Sequence, residues 1–179
     1  MNYELLDRIE KSSAHTQNRL DNANYIINNP NLLPELISLS FANENKSHIR
    51  ACSILEKVFE IQLDLAIPFV DKICENLENL KNDSAIRSIS RLVRFMVLDN
   101  IQRKYVSENN IQKITTACFD WLISDIRVAP KAHAIYTLYE LGKSQNWIQE
   151  ELKQTLEYYT GSKSAGYKSV AKKILKKLK

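Results

Sequence analysis

The sequence predicts an all-α protein of helical hairpins stacked in a row, and three observations lead there. The 179 residues include only three Gly and four Pro, and apolar side chains recur at helical spacing almost throughout. Residues 47–60 read as a helix whose polar residues Arg50, Ser53, Lys57 and Glu60 keep to one narrow stripe, widened slightly by Glu56. Ile49, Ala51, Cys52, Ile54, Leu55, Val58 and Phe59 occupy most of the remaining girth, so this helix must be covered on both sides. The pattern returns at 84–98, where seven apolar residues surround Arg87, Ser90, Arg91 and Arg94. Aligning Arg50 with Arg87 also aligns Lys57 with Arg94.

The elements follow in order. Residues 2–11 form a short helix with Leu5, Leu6 and Ile9 on its apolar side, and 14–28 a second with Leu20, Ala23, Ile26 and Ile27 inward. Asn28-Asn29-Pro30-Asn31 breaks the chain. The third helix, 32–42, carries Pro34 in its first turn, where a missing N–H costs little. After the fourth at 47–60, residues 63–80 give a fifth, with a bend or late start expected at Pro68. Asn82 supplies an N-cap for the sixth. Residues 99–108 are the longest irregular candidate, an insertion or a loop. The seventh helix runs 110–126 and the eighth 128–143, ended by Gly142. The ninth, 146–159, is capped by Asn146 with Gln149 at the capping-box position. Gly161 then turns the chain into the tenth, 164–178, whose apolar stripe is Tyr167, Val170, Ala171, Ile174, Leu175 and Leu178.

Ten helices make five hairpins in one domain spanning 1–179. The second helices of hairpins two to five begin near 46, 83, 128 and 163, spacings of 37, 45 and 35, close to the period of helical solenoids. The architecture expected is a right-handed α-α superhelix.

On these residues the chain resembles HEAT repeats and the related armadillo type over about residues 31–179. Leu33-Pro34-Glu35-Leu36-Ile37 matches Ile67-Pro68-Phe69-Val70-Asp71 as the family's proline near the start of the outer helix. Arg50, Arg87, Lys131 and Lys168 match its basic residue after the turn. The family's ladder, an acid six residues before that base, is offered by Glu44 and Asp125 but not by Lys81 or Ser162, so the repeats are divergent. The chain also resembles small bacterial helical-repeat proteins, some labelled adenylosuccinate lyase, in 118–123 and 171–178. The residues do not support that label: Gly161-Ser162-Lys163-Ser164 lacks the rest of that superfamily's catalytic loop. HEAT-like alkylpurine DNA glycosylases need an Asp and aromatics within a basic concavity, and here the inner helices offer only Asp83 and Asp99, both at helix ends. The resemblance speaks to fold rather than to activity.

Charge supplies the functional reading. The formal charge is +4, but 161–179 carries seven Lys and no acid, leaving 18 bases against 21 acids before it. The first helices of hairpins two to five sum to −7 and the second helices to +11. In a solenoid the second helices line the concave side. The expectation is a basic concave ridge through Arg50, Lys57, Arg87, Arg91, Arg94, Lys131, Lys168 and Lys172, binding an acidic protein segment or, alternatively, a nucleic-acid backbone. The competing reading takes these bases as a solvated stripe, with the terminal lysines complementing a helix dipole.

Enzyme chemistry finds no support: His15, His48 and His133 lie apart from carboxylates or Cys at ligand spacing, and three glycines make no phosphate loop. No cofactor, metal or small-molecule substrate is expected. Trp121 and Trp147 read as packing residues. Three distant cysteines in apolar contexts read as free thiols of a reducing compartment. With no window near the ~18 apolar residues of a membrane span and no signal peptide, a cytoplasmic protein is expected.

Overall fold

The computed structural model describes residues 2–159 and 164–178, so the turn expected at Gly161 lies outside the described residues. Ten α-helices run in order: α1 Tyr3–Glu10, α2 Thr16–Asn28, α3 Leu33–Ser40, α4 His48–Ile61, α5 Val70–Glu75, α6 Asp83–Arg103, α7 Glu108–Ile123, α8 Val128–Gly142, α9 Asn146–Tyr159 and α10 Ala165–Leu175. No strand occurs among the described residues. None of these helices is long and apolar enough to cross a membrane.

The even-numbered helices pack in succession: α2 on α4, α4 on α6, α6 on α8 and α8 on α10. The odd-numbered helices pack against that row, with α3 against α4, α7 and α9 against α8, and 63–79 against α4, α6 and α7. One continuous core joins them, from Leu5 and Ile26 through Leu55, Leu92 and Leu138 to Ile174. The second helices of hairpins two to five start at His48, Asp83, Val128 and Ala165, spacings of 35, 45 and 37.

Four expectations change. The stretch 63–80 is no single helix but a 3-10 segment Leu63–Phe69, the short α5, and a second 3-10 turn Leu77–Asn79. Pro68 has no N–H to donate and its ring crowds the carbonyl four residues back, so α-helical bonding does not run through it. At the other end the Asn76 amide Nδ2 donates to Lys72 O at 2.8 Å, taking the carbonyl that a further α-turn would use.

The irregular segment expected at 99–108 is mostly helix, and α6 runs 21 residues to Arg103. It stops on Lys104 in the left-handed region at φ 56. Asn100 Oδ1 then accepts from Val106 N at 2.7 Å, and the Tyr105 hydroxyl donates to Met96 O at 3.2 Å. The ending is a structured cap, followed at once by Ser107 as N-cap of α7.

Gly142 closes α8 but not through a left-handed turn, since no glycine among the described residues has positive φ. A Cβ there would stand 3.2 Å from Gln149 Cβ and N, so the position is held small by the close approach of α9. Asn146 is the first residue of α9 rather than a cap before it. The expected Asn82 cap is present, accepting from Ser84 N at 2.9 Å.

Candidate functional site

The row of even-numbered helices carries the charged residues of interest, and its centre is Glu56. Its neighbours on α4 include Cys52, Leu55 and Phe59, all buried, and Glu56 itself is fully buried. A carboxylate removed from water demands partners. Arg91 Nη1 donates to Oε1 at 2.7 Å, and Arg87 Nη2 to Oε2 at 3.4 Å. Arg19 of α2 brings Nη2 to 3.4 Å from Oε2 and donates to Ser53 O at 3.4 Å. Arg87, Arg91 and Arg94 stand at i, i+4 and i+7, so α6 presents all three on one stripe. Three elements far apart in sequence thus meet on one buried acid.

A second carboxylate completes the pairing. Glu60 Oε1 accepts from Arg91 Nη2 at 2.5 Å and Oε2 from Lys57 Nζ at 3.0 Å. Partial burial disfavours the charge of Glu60, but its bonds to Lys57 and the field of Arg91 outweigh that and hold its carboxyl below the ordinary range. Burial likewise works against the charge of Arg91, and Glu56 and Glu60 more than restore it.

Beyond Arg91 the contacts become cation to ring. The Arg94 guanidinium lies 4.4 Å from the Tyr136 ring centre, and Lys173 Nζ lies 5.7 Å from the same ring. Tyr139 meets Lys143 at 5.0 Å and Lys177 at 5.2 Å. Tyr136 of α8 therefore links α6 to α10 through its face, and Tyr139 joins the end of α8 to the residue two past α10. His133, on the α6 side of α8, is pushed down to about 4 by burial and by the nearby guanidiniums of Arg94 and Arg91.

Of the residues expected in the ridge, Arg87, Arg91 and Arg94 share this face and Lys57 joins it through Glu60. Arg50 is exposed and makes no ion pair with Glu44. Lys131 is buried, and its ammonium donates to Leu122 O at 3.2 Å and to Ser124 O, closing the carbonyl end of α7. That bonding removes Lys131 from any exposed ridge. Lys168 and Lys172 are exposed, but Lys173 of α10 and Lys177 just past it are the lysines that lie over the tyrosines of α8. Five residues separate Lys168 from Lys173, a rotation of about 140° around a helix, so the two cannot share one edge.

Sequence reasoning passed over Arg19, His133, Lys173 and Lys177. The one available signal was Glu56 itself, an acid set among apolar residues on a helix that needs covering on both sides.

Chemistry of other kinds has little to build on. No group of three His, Cys, Asp or Glu among the described residues could hold a metal ion. All three cysteines are free and buried; burial pushes the Cys52 and Cys74 thiols up to about 12 and Cys118 higher still. His48 is buried with Nδ1 3.3 Å from Ser40 O, the carbonyl that also accepts from Cys52 Sγ at 3.0 Å. Trp121 is buried as expected, whereas Trp147 is 55% exposed beside Phe119. No family model, curated protein or solved structure matches the chain.

Proposed function

We propose that the chain is a non-enzymatic, HEAT-like interaction module, a right-handed superhelix of five hairpins in one domain, that binds an acidic protein segment. The binding face is the row of even-numbered helices. One observation carries this reading: cross-helix contacts run unbroken from Arg19 through Glu56, Arg87 and Arg91, and from Arg94 through Tyr136 to Lys173. The cations of α2, α4, α6 and α10, together with Lys143 at the end of α8, thus line these contacts, and they outnumber the acids Glu56, Glu60 and Glu140 among them. Such a surface attracts an anionic partner and steers its approach. The recurring helix starts, spaced 35, 45 and 37 residues apart, support the repeat architecture. Three free buried thiols fit a cytoplasmic home.

A short Asp/Glu-rich peptide titrated against the protein tests this. The double variant Arg94→Glu/Lys173→Glu is expected to weaken binding by about tenfold, roughly 1.4 kcal/mol. Equal binding by wild type and variant sinks the reading.

The second reading is a nucleic-acid backbone on the same face, favoured by the alternation of cations with Phe95, Tyr136 and Tyr139. It requires duplex or single-stranded DNA to bind with a steep log–log salt slope that flattens when Arg87, Arg91 and Arg94 are replaced.

A further inference from the structure

Around Glu56 the positive charge exceeds what the pairing needs. Three guanidiniums face one carboxylate, Lys57 already matches Glu60, and two positive charges are left at one spot. The arginine side chains are not sealed: Arg87 is 39% exposed, Arg91 31% and Arg19 20%. Hydrogen-bond acceptors are also short here. Arg19 Nε, Arg94 Nε and His133 Nδ1 are buried without a partner, three of the five such side-chain atoms among the described residues.

We propose that Arg19, Arg87 and Arg91, held around Glu56, form a docking site for a phosphorylated residue of a partner protein, whose phosphomonoester dianion seats on the outward edges of Arg87 and Arg91. The proposal rests on the reading that this face receives an acidic protein segment, and it names the group that is recognised. Two surplus charges at one point match a dianion, where a carboxylate supplies only one. Guanidinium forks match phosphate oxygens in pairs, and ion-paired donors make the stronger bonds. Glu56 fixes the three forks before the partner arrives, which lowers the ordering cost of binding. That gives the buried acid a purpose beyond stability, since apolar residues in place of the whole ionic cluster would be about as stable.

A nucleic-acid strand fits less well. Its charges recur along a track, and here Glu60 and Glu140 interrupt the track. The faces of Tyr136 and Tyr139 are already covered by cations rather than open to bases.

Fluorescence anisotropy on the whole chain tests the idea with a labelled Gly-Ala-Gly-phosphoserine-Gly-Ala-Gly peptide and its Ser and Glu counterparts. Inorganic phosphate and oligothymidine serve as competitors. The phosphopeptide is expected to bind at least about tenfold tighter than the Glu peptide. Arg87→Lys and Arg91→Lys keep the charge but lose the fork, and each should cost about fivefold or more in phosphopeptide affinity. If either variant melts early, protection of Arg87 and Arg91 from phenylglyoxal by the phosphopeptide, read by mass spectrometry on the wild type, locates the site instead; absence of protection overturns it.

Equal binding of the phosphoserine and Glu peptides overturns this inference while leaving the acidic-partner reading standing. Competition by inorganic phosphate as tight as the phosphopeptide makes it a free-phosphate site and overturns protein docking. Oligothymidine binding tighter than the phosphopeptide assigns the face to nucleic acid. Failure of every anionic probe removes both readings.

Discussion

Glu56 concentrates the energetic tension of this protein in one side chain. A fully buried carboxylate is tolerable only because Arg19, Arg87 and Arg91 converge on it. Glu56→Ala would leave three cations facing one another across a cavity. Breaking a buried pair costs about 3–5 kcal/mol, and the arginines' access to water puts the expected loss near about 3. Urea unfolding measures it, and a loss below about 1 kcal/mol would show that the arginines relax into solvent. His133 gives the second residue-scale expectation. Burial and the nearby arginines push it down to about 4, below the ordinary ~6.5, so the folded state disfavours its protonation. Its contribution to stability is complete above about pH 6.5 and is lost as pH falls through about 4. A His133→Gln variant should lose less stability than wild type across that window; parallel pH curves would refute the assignment. The stripe of Arg87, Arg91 and Arg94 was legible because helical periodicity alone sets it. The burial of Glu56 was not, because its partners stand 31 to 37 residues away along the chain and only packing brings them in.

At the scale of elements, most helix interiors followed their apolar periodicity, whereas the stretch 63–80 and several helix ends did not. The stretch 99–107 is mostly polar, so α6 reads as finishing early, and no Gly or Pro marks its true end. Its actual stop at Lys104 depends on Asn100, Tyr105 and Met96 closing a cap around a residue with φ 56. A left-handed conformation costs an L-residue about 1 kcal/mol that glycine avoids. Lys104→Gly is therefore expected to raise stability by about 0.5–1 kcal/mol, partly offset by the greater freedom of glycine when unfolded, which corresponds to about 2 °C in melting temperature. A fall would mean that the lysine side chain contributes a contact outweighing the strain. Gly142 makes the opposite case, a glycine whose sequence signal was right and whose reason was misread. A methyl group there meets Gln149 backbone N at 3.2 Å and Cα at 3.3 Å, atoms fixed in the first turns of α9. Gly142→Ala should cost about 1–3 kcal/mol by overpacking, although alanine is the better helix former. Calorimetry separates the two outcomes by sign.

Across the whole molecule, the order of packing dictates where the fold is firmest. α4, α6 and α8 each pack on two even-numbered neighbours and an odd-numbered helix, whereas α10 packs mainly on α8 and α9. The uneven charge was visible from the start, since the lysines of α10 stand out in the sequence. Which of them meet α8 was not, because Lys168, Lys172, Lys173 and Lys177 differ only in rotation about the helix axis. A helix at the end of such a row has fewer packed neighbours than those in its middle. Amide hydrogen exchange should therefore be slowest in the central turns of α4, α6 and α8 and faster in α10, whose contacts with α8 include the Lys173 and Lys177 approaches to Tyr136 and Tyr139. Raising salt should widen the gap, because exposed cation contacts are screened more than the apolar packing of the middle helices. Uniform protection from α2 to α10, unaffected by salt, would show a single cooperative unit in which the end helix is held as firmly as the centre.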